Sequence, residues 1–203
     1  PKVWKEDGYW YLIAGARLGD MPLLPLYRST DLHVWEFLNY VSGGREGDGY
    51  MWECPDLFRL NGRDVLLYSP QGMPPQGYDR LNKYQTGYRV GRMDNEWNFT
   101  GGPFIELDNG HDFYAAQTLL AADGRRLVWA WLDMWESPMP SQAHHWCGML
   151  GLPRELELCA DRLCIYPARE LTALVHRHTG RPQLPGQRLG QRNHACLGCG
   201  VVG

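Results

Sequence analysis

The segment Met51-Trp52-Glu53-Cys54-Pro55-Asp56 sets a carboxylic acid among large apolar neighbours. Trp52, Cys54 and Pro55 hem in Glu53, with Met51 and Leu57 beyond, so a strand through this segment would leave the acid little water. Desolvation disfavours an ionised carboxylate, and the protonated form is what a general acid must hold at neutral pH. Acids embedded among aromatics suit carbohydrate chemistry. Aromatic faces stack on the C–H surfaces of a sugar, while carboxyl groups protonate and displace at its anomeric carbon. Two readings of Glu53 stand side by side at this level: a catalytic acid, or a strand-edge glutamate paired with an arginine such as Arg59. Asp56 is a candidate second acid, although its place before a strand favours a residue that hydrogen-bonds its own turn.

A second cluster, Gly110-His111-Asp112-Phe113-Tyr114-Ala115-Ala116-Gln117, gathers His, Asp, Tyr and Gln ahead of another strand-like run. Trp129, Trp131 and Trp135 follow, the first two on one face of a strand, and the three together are either core or a platform for a sugar. His144 and His145 are adjacent and would point apart on a strand, which disfavours paired metal ligation. Cys196 and Cys199 have the spacing of half a zinc site, but only His194 accompanies them, so they receive no role. The chain contains no G-x-S-x-G, no phosphate-cradling glycine loop and no H-E-x-x-H, and therefore gives no support to nucleophilic-serine or zinc-peptidase chemistry.

The elements that must position these residues are legible from composition and turns. The 203 residues suit one large domain or part of one. Twenty basic and 23 acidic side chains give a formal net charge of −3, with no global positive field for nucleic acid or an anionic membrane. No apolar run reaches the roughly 18 residues of a membrane span. Six cysteines make no disulfide framework, which favours a cytoplasmic location, with secretion as the alternative. Nine Trp, 11 Tyr and 5 Phe beside 24 Gly and 14 Pro point to short strands and many corners.

Asp7-Gly8, Asn61-Gly62 and Asp123-Gly124 each join two strand-like runs, and each predicts a two-residue hairpin turn. Their glycines lie 54 and 62 residues apart, and a second echo, YRSTDLHVWEF from Tyr27 and YRVGRMDNEWNF from Tyr88, repeats at 61. Tandem four-stranded sheets of this size fit about three blades of a β-propeller; the alternative is a β-sandwich with coincidental hairpins. After Glu170 no acidic residue remains, and from Gly180 onward Gly, Pro, Gln and Arg dominate. A short helix from Ala168 and then a linker or disordered tail over 175–203 are expected.

Four motifs in register, WECPD at 52–56, GHDFYAAQT at 110–118, GRRLVWAWLDMWES at 124–137 and GMLGLPRELEL at 148–158, closely resemble glycoside hydrolase family 32, the invertases and sucrose-6-phosphate hydrolases. The resemblance runs from Pro1 to about Leu174, so 1–174 is expected to be a partial catalytic domain of that family. It implies an all-β fold, a five-bladed β-propeller of which the last three blades are present, with a following β-sandwich missing. It implies a retaining β-fructofuranosidase that releases β-fructose from sucrose, sucrose 6-phosphate or related fructosides, a small-molecule sugar as its partner, and neither metal nor organic cofactor.

Residue by residue, the acid/base of the family's Glu-Cys motif falls on Glu53. The family's nucleophile, the Asp of an Asn-Asp-Pro-Asn motif, has no counterpart here. The opening Pro1-Lys2-Val3-Trp4 matches what often follows the family's transition-state-stabilising Asp, so the chain is expected to start one residue after it, and to be inactive by itself. Tyr114 matches the aromatic of the Asp-Phe-Tyr-Ala motif, and Trp131 the tryptophan lining the fructose site. Asp112 fits the same pocket wall, as a hydroxyl-binding group or as a turn residue. A non-catalytic carbohydrate-binding propeller and an inactive remnant are the rival readings.

Overall fold

A computed structural model describes residues 1–178. The described chain is built almost wholly of strands, in three antiparallel sheets that follow one another along the sequence. The first contains β1 (Lys2–Glu6), β2 (Tyr9–Ile13), β3 (Ala16–Leu18), β4 (Met21–Ser29) and β5 (Glu36–Gly43). The second contains β6 (Met51–Leu60), β7 (Arg63–Gln71), β8 (Gly87–Met93), β9 (Phe99–Gly101) and β10 (Ile105–Glu106). The third contains β11 (Tyr114–Leu120), β12 (Arg126–Leu132), β13 (Met149–Leu150), β14 (Arg154–Cys159) and β15 (Arg162–Pro167). Each sheet has a meandering path of four strands, β1-β2-β4-β5, β6-β7-β8 with β9 and β10 on its outer edge, and β11-β12-β14-β15. This is the all-β blade pattern expected from the repeat, and three sheets rather than two exclude a simple sandwich of these residues.

Two of the expected turns form as two-residue loops. Asp7 and Gly8 lie at φ 47° and 85°, Asn61 and Gly62 at 49° and 74°, the left-handed pair that a type I′ turn demands. The third is wider. Strand pairing stops at Leu120 and Arg126, Gly124 N–H bonds the Ala121 carbonyl, and Gly124 is the residue with a positive φ, at 85°. Asp123 instead turns its carboxylate to Arg125, at 2.6 Å.

The middle sheet is covered on both faces, which explains the near-continuous apolar run of β7. Leu66 and Tyr68 pack with Trp52 against Ile13, Leu24 and Leu26 of the first sheet. Val65 and Leu67, alternating with them, pack with Tyr88 against Ala116, Val128 and Leu156 of the third. Trp52 is 1% exposed, stacks on Tyr68 at 4.3 Å and donates its indole N–H to the Asp48 carbonyl at 2.8 Å. The first strands of the sheets meet one another, β6 touching both β1 and β11.

Past the third sheet, α1 (Leu171–His178) begins three residues later than Ala168 and runs beyond the boundary expected at Leu174. The rest of the expected tail, with Cys196 and Cys199, lies outside the described residues. His144 and His145 end a 3-10 turn, Pro140–His144, rather than lying on a strand.

Candidate active site

Glu53 sits near the start of β6 and Tyr114 opens β11, so the two reach the same end of the sheets from neighbouring first strands. The Tyr114 hydroxyl donates to Glu53 Oε2 at 2.8 Å. Both residues line an open cleft of about 400 Å³, with Pro1 ahead of β1, Ala14 and Gly15 after β2, and Trp131 and Trp135 from the third sheet. Glu53 is half-buried, less enclosed than its apolar neighbours suggested. Arg59 does not hold it: that guanidinium pairs with Asp64 at 3.1 Å, which leaves the acid facing the cleft.

Local backbone irregularity aims both side chains. The β6–β7 register shifts between Glu53 and Asp56, and the β11–β12 register shifts between Tyr114 and Gln117. The residue after each site side chain takes a left-handed conformation, Cys54 at φ 48° and Ala115 at φ 55°. A bulge bends its strand and redirects the side chain beside it, and such conformations in non-glycine residues persist only where the surroundings hold them. Strict alternation would otherwise divide these residues between sheet faces.

Electrostatics keep the neighbours of Glu53 neutral. Burial, then the hydrogen bond and charge of Glu53, push the Tyr114 phenol far above its ordinary range, so it serves as a donor and not as a base. Burial, then the Glu53 charge, raise the Cys54 thiol too, which disfavours a thiolate nucleophile. An aromatic wall rises beside them. Tyr84, Tyr114 and Trp135 form a triangle with ring centroids 5.4 to 6.0 Å apart. A Lys83–Glu136 ion pair ties the β7–β8 connection to the loop after β12. Behind this wall lies a second cleft of about 510 Å³, which shares Trp131 and Trp135 and is lined by Asp133, Glu136 and Cys147.

Of the residues picked from sequence, Glu53, Tyr114 and Trp131 come together in one cleft. Asp112 is not among the residues lining either cleft; it lies at φ 60° with its carboxylate paired to the neighbouring His111. Asp56 is neither a second acid in the cleft nor a turn residue: it is fully buried within β6 and ion-paired to Lys2 at 3.0 Å. Trp135, weighed with Trp129 and Trp131 as core or sugar platform, lines the cleft beside Trp131, whereas Pro1 and Gly15 were not singled out as wall residues. Trp135 had a signal in its motif, whereas Gly15 is visible only through packing, since a Cβ there would meet the Trp52 carbonyl at 2.2 Å. Among the described residues no group of three His, Cys, Asp or Glu is placed to hold a metal ion.

Comparison with known proteins identifies the family of the chain. The model of the glycosyl hydrolases family 32 N-terminal domain matches residues 1–167. A raffinose invertase of Escherichia coli is 46% identical over 176 residues, covering 86% of this chain and 37% of that protein. A sucrose-6-phosphate hydrolase of Escherichia coli is 43% identical over 180 residues, covering 88% and 38%. Among solved structures, a β-fructofuranosidase of Bombyx mori superposes with a TM-score of 0.82 at 43% identity, over 86% of this chain and 38% of that one. A mutant of the Bombyx enzyme has been solved with sucrose. The chain thus spans a little over a third of the length of these relatives.

Proposed function

This chain belongs to glycoside hydrolase family 32, and from that membership we propose that it is part of a retaining β-fructofuranosidase acting on sucrose, sucrose 6-phosphate or a related β-fructofuranoside, with Glu53 as the general acid/base. The observation that carries the reading is the Tyr114–Glu53 hydrogen bond of 2.8 Å at the edge of an aromatic cleft. A carboxyl group there meets the glycosidic oxygen of a sugar stacked against Trp131 or Trp135. Glu53 first protonates the departing alkoxide. It then deprotonates the water that hydrolyses the fructosyl-enzyme. Tyr114 holds one carboxyl oxygen so that the other faces the substrate.

A retaining mechanism needs a second carboxylate about 5 Å from the first, as nucleophile. Glu53 is the one carboxylate among the residues lining this cleft, so we assign the nucleophile to sequence of the parent protein outside these 203 residues. The 203-residue chain alone is then expected to release little or no fructose.

The test is to express the full-length protein that contains this chain and to follow fructose release from sucrose and from sucrose 6-phosphate. Glu53→Gln should lower kcat by about a thousandfold or more while substrate binding persists, since general acid–base catalysis is worth 10²–10⁴-fold and this residue serves two steps. Turnover by Glu53→Gln at the wild-type rate would remove Glu53 from the mechanism. Sugar binding by a wild-type protein that releases no fructose would favour a non-catalytic propeller.

A further inference from the structure

We infer that Gln117 is a positioning residue for Glu53, acting through the backbone of Cys54; the catalytic part of this inference rests on the hydrolase reading above. β6 and β11 belong to different sheets and share no backbone ladder. What joins them is a row of side-chain bonds from β11. Tyr114 donates to the Glu53 carboxylate, Gln117 Nε2 donates to the Cys54 carbonyl at 2.8 Å, and Thr118 donates from its backbone and its hydroxyl to Asp56 Oδ2, each at 2.8 Å. The middle bond falls at the irregular point of the strand. Glu53 pairs with Ser69 and Asp56 with Leu67, so Cys54 and Pro55 stand outside the β6–β7 register. Pro55 has no N–H to donate, and Cys54 holds a left-handed φ of 48°.

Gln117 is suited to this task by its own strand's bulge. The register shift between Tyr114 and Gln117 changes the spacing between these side chains, so one reaches the tip of Glu53 while the other reaches the peptide that follows it. The Gln117 amide also bonds the Ala116 carbonyl at 3.2 Å, which limits its rotation. Glu53 is thereby gripped at both ends by one strand of the neighbouring sheet. If the Cys54 peptide relaxed, the carboxylate would swing relative to a sugar held by Trp131 and Trp135. A displacement of about 1 Å can cost on the order of 10²-fold in rate.

The variant that isolates this bond is Gln117→Met, which keeps the length and bulk of the side chain and removes the donor. It is to be made in the full-length protein and read in three ways: kcat and KM for sucrose, thermal midpoint, and the rate at which iodoacetamide alkylates Cys54, followed by mass spectrometry of the peptide carrying it. We expect kcat to fall about 10- to 100-fold with KM within about threefold of wild type, the pattern of a lost transition-state interaction. The midpoint should stay within a few degrees, and Cys54, half-buried in the wild type, should be alkylated several times faster. Unchanged kcat with unchanged alkylation would overturn the inference, as would a loss of rate that merely tracks a loss of thermal stability. If the wild-type protein releases no fructose, the hydrolase reading fails and the catalytic role with it, while the alkylation rate still decides whether Gln117 holds the Cys54 peptide.

Discussion

The Tyr114 hydroxyl meets Glu53 Oε2 at 2.8 Å across the join between the second and third sheets, so the acid is oriented by a residue 61 positions away in sequence. A hydrogen bond to a charged group is worth about 1.5–3 kcal/mol, which converts to roughly 10- to 100-fold. Tyr114→Phe keeps the ring packing against Tyr84 and Trp135 and removes the hydroxyl that donates to Glu53, together with its hydrogen bond to Gln71. In the full-length protein kcat/KM should fall by about that factor, with little change in melting temperature. A wild-type rate in the variant would mean that the carboxylate is oriented by other contacts.

Burial, followed by the hydrogen bond to Glu53 and its charge, holds the Tyr114 phenol above its ordinary value of 10.0, and burial does the same for Tyr68. The sign follows from linkage: groups that ionise more readily unfolded contribute their full stability below pH 10, and lose it as pH rises through their higher folded values. Stability should therefore decline above about pH 10, and tyrosinate absorbance from these two residues should appear only with unfolding. An absorbance step that includes them in the intact fold would contradict their burial.

Asp56 gathers three donors on one oxygen, Thr118 twice and Lys2 once, and so ties the first strands of all three sheets together. Removing one partner of a buried ion pair typically costs about 3–5 kcal/mol, because the other is left uncompensated. Lys2 retains 20% side-chain exposure, which places Lys2→Met at or below the lower end of that range and Asp56→Ala, whose partner set is larger, higher. The double variant should cost less than the sum of the two, measured by denaturant unfolding. Simple additivity would show that the two side chains do not couple.

What the sequence made legible follows local rules. Asp7-Gly8 and Asn61-Gly62 specify their hairpins because few other residues accept two left-handed positions in succession, and although Asp123-Gly124 closes a wider loop, the repeat of these dipeptides exposed the sheet count. Glu53 was singled out by its apolar neighbours, and Tyr114 and Trp131 by their motifs, and the three share one cleft. The bulges at Cys54 and Ala115 were hidden, since neither is a glycine and both conformations are imposed by tertiary contacts. Asp56 was misread for a related reason. A carboxylate before an apolar run resembles a turn residue until Lys2 and Thr118, distant in sequence, are brought to it.

Acid should loosen the end of the third sheet. Arg169, with a further contribution from Arg125, pulls the Glu155 carboxyl down to about 2, against an ordinary value of 4.5. A depressed carboxylate contributes stability above its unfolded value, and that contribution is lost as pH falls from about 4.5 through about 2. Arg125 also binds Glu170 at 2.5 Å, so this cluster anchors the entry to α1. Thermal midpoints of the wild type should drop through this window, and Glu155→Gln should start lower and vary less with pH. Parallel pH curves for the two proteins would exclude Glu155 as a source of the acid sensitivity.

Gly15 offers the sharpest test of how the first sheet fixes the acid. Its backbone lies so close to β6 that an added Cβ would meet the Trp52 carbonyl at 2.2 Å and Met51 Cε at 3.3 Å. The methionine tip can move aside, but the carbonyl belongs to the peptide that leads into Glu53. Gly15→Ala should therefore push β6 away from the first sheet, destabilise the protein by about 1–3 kcal/mol as overpacking usually does, and misplace Glu53. The matched control is Gly8→Ala. Gly8 sits in a turn at φ 85° with open space where a side chain would project, so its cost is conformational strain of roughly 1 kcal/mol, with no path to the cleft. Similar losses of stability with a loss of kcat confined to Gly15→Ala would show that the contact with Trp52 sets the position of the acid. Equal kcat in both variants would show instead that β6 yields without moving Glu53, and that the grip from β11 suffices.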